Sequence, residues 1–339
     1  MGLRKGEIRR VQVTGGSTFI VSLPKWWVDD VKLKQGDLVQ VLPQPDSSLV
    51  IVPRIGSDGE GGKSASIEVP SPDRIEEAAR LLIAHYLAGF DVITIQFKRY
   101  SPDAGHRIKD IVRRRLVGVE IMEGSADRIV VQSLLGHSEF PLKTAISRIH
   151  VLSSLMHKDA MRALKEANPS LAEDVAQRDD DVDRLYFFVV RQLKAAVVDR
   201  SLIREMGLRG PRDCLGYRLV AKSLERMADH AVNIARAVRM LDAPVQMGLM
   251  ESLEEVSAFA MGICEDAMRA LSRLDVELAQ KSISLAQEVG AFEGALTKRI
   301  LESGSRAQSM IGLRLALESI CRTADYGADI AEIAINLSV

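Results

Sequence analysis

SLERMADHAVNIARAV (residues 223–238) carries two patterns at once. Leu224, Met227, Ala228, Ala231, Ile234, Ala235 and Val238 recur at helical spacing and form a strong apolar stripe. Glu225 and Asp229, four residues apart, lie along its edge with their carboxylates to the same side. Like charges at that spacing repel unless a cation sits between them, and hard cations bound by oxygen ligands are the natural occupants. A lone pair of this kind is commonly a solvated face. Here the pattern recurs: RDDDVDRLYFFVVRQL (178–193) holds Asp179 and Asp183, and CRTADYGADIAEIAI (321–335) holds Asp325 and Asp329 beside Ile320, Ala324, Ala328, Ala331 and Ile335. Acids at a seam between helices can converge on shared metals.

The helical region begins near Pro141. Leu142, Ile146, Ile149, Leu152, Leu155 and Met156 stripe a first helix that extends to Ala167 before Asn168-Pro169 breaks it. Ser170 is the expected cap of the next helix, which carries the first acid pair. Gly207 to Pro211 separates that helix from the one bearing Glu225 and Asp229, and Asp242-Ala243-Pro244 marks a junction before three further helices. Gly290 and Gly294 flank Glu293 and are expected to weaken their helix there.

The acid-bearing segments resemble the motif segments of the PhoU family of phosphate-signalling regulators over about the last 200 residues. That resemblance implies two tandem three-helix bundles, 141–242 and 243–339, each offering acidic motifs to multinuclear iron or zinc clusters. Asp179, Asp183, Glu225 and Asp229 would form the complete first site. The second copy departs from the pattern. Aligning Arg322 with Arg226 places Asp325 opposite Asp229 but Cys321 opposite Glu225, and Glu293 takes the place of Asp183 while Val289 stands for Asp179. Asp329 could replace one missing acid.

Residues 1–54 are a different kind of sequence. Short β-rich runs (Ile8 to Val13, Phe19 to Val21, Val39 to Val41, Leu49 to Ile51) are divided by Gly15-Gly16 and by Pro45 to Ser48, with one short helix begun at Pro24. Fifty such residues cannot bury much of themselves, so pairing with a second copy is expected. SLPKWW (22–27) and LKQGDLVQV (33–41) resemble the AbrB-like swapped-hairpin domain, whose members are intertwined dimers and often bind DNA. Arg4, Lys5, Arg9, Arg10 and Lys25 against Glu7 alone give residues 1–27 a net charge of +4, enough to follow a phosphate backbone when doubled by a twofold axis. The family's Gly-Arg before the central strand is here Gly16-Ser17, which removes one expected DNA contact.

Residues 55–66 are rich in glycine and serine and read as a flexible linker. Residues 67–135 read as a small α+β domain: strands at Ile67–Val69, Val92–Phe97, Val119–Met122 and Arg128–Gln132, with helices at Pro72–Leu87 and Asp103–Leu116. Its basic run (Lys98, Arg99, Arg107, Lys109, Arg113, Arg114, Arg115) faces only Asp103 and Asp110 locally, as either a charged helix face or an anion site.

The net charge of −1 favours neither nucleic acid nor membrane globally, and no run of 18 apolar residues appears. Cys214, Cys264 and Cys321 are scattered without a paired motif and read as reduced core residues of a cytoplasmic protein. No phosphate-cradling glycine loop or nucleophile motif is present, and no histidine follows a glutamate by three positions, so an enzyme is not expected. The expectation is a multidomain, mainly α homodimer: swapped-hairpin domain, α+β domain and double bundle. By resemblance it controls phosphate uptake, with duplex DNA as partner. The alternative is an interaction module that does not bind DNA and docks on a phosphate transporter ATPase subunit or a phosphate-sensing signalling protein. Beyond the linker, the sequence offers no physical connection between the ends of the chain.

Overall fold

A computed structural model describes residues 6–43, 47–53, 63–135 and 140–339. The chain divides into two units, Met1–Gly62 and Lys63–Val339.

In the first unit, β1 (Gln12–Thr14) pairs antiparallel with β2 (Thr18–Ile20) across Gly15 and Gly16. Both glycines have positive φ (60° and 84°), which a tight hairpin requires and a β-carbon resists. The short helix α1 (Lys25–Asp30) starts at Pro24, and β3 (Val39–Pro43) pairs antiparallel with β4 (Leu49–Pro53). None of this unit's described residues is buried, and Phe19, Leu38 and Leu49 are 72%, 67% and 65% exposed. An apolar surface of that kind, on strands this short, calls for a covering partner.

The second unit opens with a four-stranded sheet in the order β5-β6-β8-β7. β5 (Ser64–Val69) runs parallel to β6 (Val92–Phe97) through the crossover helix α2 (Ile75–Leu87). After α3 (Pro102–Arg115), the hairpin β7 (Val119–Gly124) and β8 (Arg128–Ser133) completes the sheet, with a register shift between Ile121 and Glu123. Alternation decides which face is buried: Ile93, Ile95 and Phe97 pack with Ile67, Val69, Ile129 and Val131 against Leu82 and Tyr86 of α2 and Ile108 and Val112 of α3. Ser64 to Ser66, read as linker, belong to β5, because their backbones pair with Val92 to Thr94. The rest of the expected linker, up to residue 62, lies outside the described residues.

The helical part comprises α4 (Leu142–Glu166), α5 (Pro169–Val198), the short α6 (Arg200–Glu205), α7 (Pro211–Ala237), α8 (Met247–Arg273), α9 (Val276–Leu301) and α10 (Ala307–Ser338). α4 ends at Ala167 in the left-handed conformation. The cap of α5 is Asn168, whose side chain accepts from the Leu171 N–H at 3.1 Å, and Pro169 takes the first helical position; Ser170 is already inside the helix. α9 runs unbroken through Gly290 and Gly294, held by Val289 and Leu296 in the core. α6 was not foreseen; Asp199 caps it by accepting from the Ser201 N–H at 2.9 Å.

Helices α4, α5 and α7 pack together, as do α8, α9 and α10, and α7 lies against α10 to join the two groups. The join is an internal duplication. Gly216 of α7 meets Ile333 and Leu337 of α10, while Gly312 of α10 meets the carbonyl of Ala237, the last residue of α7, and Met240 just beyond it. Two glycines at equivalent positions of the repeats thus let the central helices approach at both ends.

Candidate metal centre

α5 sets Asp179 and Asp183 one turn apart, and α7 does the same for Glu225 and Asp229. Glu225 is buried, 8% exposed, and the Asp183 side chain is 20% exposed. Asp179 Oδ1 is buried without a hydrogen-bond partner. Burial, then the charges of Asp183, Asp229 and Glu225, push the Asp179 carboxyl up to about 7. Burial also raises Asp183, against the pull of Arg115, and raises Glu225, against its hydrogen bond from Lys222. The charges of Asp183, Asp229 and Glu225 therefore all act on Asp179.

Two basic side chains, Lys222 and Arg115, answer them. Lys222, one turn before Glu225, donates to its two carboxylate oxygens at 2.7 and 2.5 Å. Arg115 of α3 stands 3.9 Å from Asp183 and 3.7 Å from Asp180, with Arg114 3.8 Å from Asp180. Beneath them, the Tyr186 ring carries the Arg218 guanidinium at 4.9 Å and the Lys222 ammonium at 5.3 Å. Among the described residues, no three His, Cys, Asp or Glu side chains are gathered closely enough to hold an ion together. Glu225 is instead engaged by Lys222, and Asp183 has Arg115 at 3.9 Å. The donor set nevertheless fits a cation: four carboxylates, one with an unsatisfied buried oxygen, beside a cleft of about 380 Å³ lined by Asp179, Asp229, Arg226, His230, Asn233 and Arg236. His230 turns to Tyr326, its Nε2 3.3 Å from the phenol oxygen.

The second copy is differently equipped. Glu293, Asp325, Val289 and Cys321 line one cleft of about 350 Å³. Arg314 donates to Glu293 at 2.7 Å and Arg322 to Asp325 at 2.8 Å, so each acid already has a guanidinium. Burial pushes the Cys321 thiol up to about 12, which keeps it protonated. Asp329 is exposed and does not line this cleft.

Of the basic residues expected to meet DNA, Arg4 and Lys5 lie outside the described residues. Arg9 pairs with Glu7, which also accepts from the Trp26 indole at 2.9 Å; Arg10 and Lys25 are exposed. The basic run of the α+β domain is largely answered by acids distant in sequence. Lys98 pairs with Glu68 at 2.5 Å, Arg107 with Glu76 at 2.7 Å, and Arg114 and Arg115 with Asp180. An anion site there is not supported, because the compensating acids come from β5, α2 and α5. Lys222 could have been read from its spacing to Glu225, whereas the approach of Arg115 to α5 is long-range and leaves no local signal.

The family model described as PhoU domain matches residues 146–238 and 253–334, just over half of the chain. The model described as antidote-toxin recognition MazE, bacterial antitoxin, matches residues 12–58. A phosphate-specific transport system accessory protein PhoU homolog of Zymomonas mobilis is 24% identical over 201 residues, 57% of this chain and 81% of that protein. PhoU homolog 1 of Thermotoga maritima is 23% identical over 57% of this chain and 84% of its own length. The crystal structure of the phosphate transport system regulatory protein PhoU from Streptococcus pneumoniae aligns with a TM-score of 0.49 at 22% identity, covering 58% of this chain and 92% of that one. With both helix repeats matched, the chain belongs to the PhoU family and carries an N-terminal domain of the MazE and AbrB-like type.

Proposed function

We propose that this chain is a non-enzymatic regulator of phosphate uptake in which the first acidic site binds a metal ion and the N-terminal unit forms a DNA-binding homodimer. The kinship supports the phosphate-transport part, since the matched relatives bear the name of accessory proteins of phosphate-specific transport. The observation that carries the metal part is Asp179: a buried, unpartnered carboxylate oxygen amid the charges of Asp183, Glu225 and Asp229. Asp179, Asp183, Glu225 and Asp229 would hold the ion, iron or zinc by resemblance, and its positive charge would offset their repulsion. In the second copy Arg314 and Arg322 already supply that charge, so one occupied site per chain is expected rather than two.

Elemental analysis of the purified full chain tests this. Stoichiometric iron or zinc in the wild type and its loss in Asp183→Ala/Glu225→Ala is the expected result. Metal-free protein from metal-replete medium would reduce the acids to ion-pair partners of Lys222 and Arg115.

A link from this site to the α+β domain is built into α5. Asp183 lies eight residues before Arg191, about 12 Å along the helix. Arg191 binds the end of α2, and Arg115 of α3 reaches Asp183 itself. A cation at the site would compete with Arg115, so occupancy and the seating of α3 are coupled. Arg115→Gln is expected to tighten metal binding about fivefold, read by calorimetry, because one competing charge is removed. Unchanged affinity would uncouple α3 from the site.

For the N-terminal unit, the exposed apolar strands support dimerisation, and exposed Arg10 and Lys25 support a phosphate-facing surface. Duplex binding should weaken steeply with salt and be lost in Arg9→Ala/Arg10→Ala. The pairing of Arg9 with Glu7 favours the second reading, a dimer that binds protein partners of the transporter without touching DNA. Failure to bind duplex at low salt would decide for it.

A further inference from the structure

A cleft of the second unit lies away from the acids, where α4 and α8 face each other over α7. Farther along, these antiparallel helices are closed by Lys165 to Glu254 at 2.9 Å and by His157 to Ser257 at 2.8 Å. Toward the start of α4 the facing residues include Ser147 and Ser272, both small, and a space of about 640 Å³ remains. That is a volume ordinary for small-molecule sites.

Its chemistry is two-sided. Ile146, Leu271, Met268 and Tyr217 offer an apolar wall. Lys143 at the rim forms no ion pair among the described residues, whereas Glu265, the one acid of the lining, faces Lys158 at 4.0 Å. Arg269 adds a second cation, held by Asp266. His150 Nε2 is buried and has no hydrogen-bond partner, a polar atom the protein itself leaves unsatisfied. Burial keeps that imidazole neutral near pH 7, so it can donate or accept.

We propose that this cleft binds an organic monoanion with an apolar body, its charged head at Lys143 and its body against Ile146, Met268 and Tyr217. Such a ligand would touch helices of both repeats, α4 and α7 from the first and α8 from the second, and would brace one against the other. The site is independent of the acidic centre and of any metal.

Titration of the full chain with 1-anilinonaphthalene-8-sulfonate, followed by fluorescence, tests the proposal. Saturable one-site binding is expected in the wild type. Ser147→Trp and Ser272→Trp, each placing an indole in the space, should weaken it about tenfold, and Lys143→Glu about fivefold. Both serines are exposed, so thermal melts of these variants should stay near the wild type. Octanoate should displace the dye and octanol should not. No saturable binding, or wild-type affinity in both tryptophan variants, would overturn the site, since the dye would then be elsewhere on the chain. Equal displacement by octanol would overturn the requirement for an anion.

Discussion

Arg191→Met is expected to cost the second unit about 3 kcal/mol and to loosen the α+β domain from the helices. The Arg191 side chain is 6% exposed and lies deep between the two parts of the unit. Its guanidinium donates to the Tyr86 carbonyl at 2.6 Å, the Phe90 carbonyl at 2.9 Å and Asp91 at 3.0 Å, and it stacks 4.9 Å over the Tyr86 ring. Tyr86 lies in the last turn of α2, where its carbonyl also accepts from the Gly89 N–H at 3.0 Å, and Phe90 lies just beyond that helix. Methionine keeps most of the packing volume but takes the Arg191 donor from the Phe90 oxygen and leaves the Tyr86 oxygen only its bond from the Gly89 N–H, and a buried acceptor without a donor is the expensive case. Asp91 is 42% exposed and recovers solvation from water, which holds the figure below that of a fully buried pair. Arg191→Lys should lose about half as much, because an ammonium cannot reproduce the planar fork. Urea denaturation measures the loss, and hydrogen exchange at Tyr86 to Asp91 shows where it falls. A shift under about 0.5 kcal/mol with unchanged exchange would mean that Leu87 and Phe187, which pack against both cores, hold the parts together unaided.

The same arginine shows where the sequence was legible and where it was not. Periodicity identified α7, α10 and the sheet strands, because their apolar faces repeat at 3.6 or 2 residues and the core accepts only those faces. The acid pairs were legible for the same reason: a helix fixes which side chains share a side. Arg191, in contrast, sits within an apolar run, between Val190 and Gln192, and nothing local says that its partners lie about a hundred positions earlier. Arg115 and Arg107 misled in the opposite direction, looking uncompensated because Asp183, Asp180 and Glu76 are remote in sequence. Arg314 was open to inspection, standing where Arg218 stands in the first copy, but Arg218 lies over Tyr186 whereas Arg314 donates to Glu293. Spacing along a helix predicts a face; it does not predict which distant charge will meet that face.

The seam between the repeats should also answer to acid through His157. Its imidazole on α4 is 1% exposed, with Nε2 2.8 Å from the Ser257 hydroxyl of α8 and Nδ1 buried without a partner. Burial, then the nearby Lys158 charge, lowers its pKa from 6.5 to about 4. The unfolded chain therefore takes up this proton near pH 6.5, while the folded chain resists it until about pH 4. The stability this neutral imidazole contributes is complete above pH 6.5 and is lost progressively as pH falls toward 4, to a total of about 3 kcal/mol. The acidic centre works the other way. Asp179, Asp183 and Glu225 have raised folded values, so their protonation on acidification favours the folded state. The wild-type slope is thus a difference between two opposed terms, and His157→Gln separates them, since glutamine can still meet Ser257 but does not titrate there. Urea midpoints from pH 7.5 to 4 should fall more steeply in the wild type than in His157→Gln. Parallel curves would mean that His157 takes its proton within the fold, and that the α4 and α8 seam opens far enough to admit water at no measurable cost.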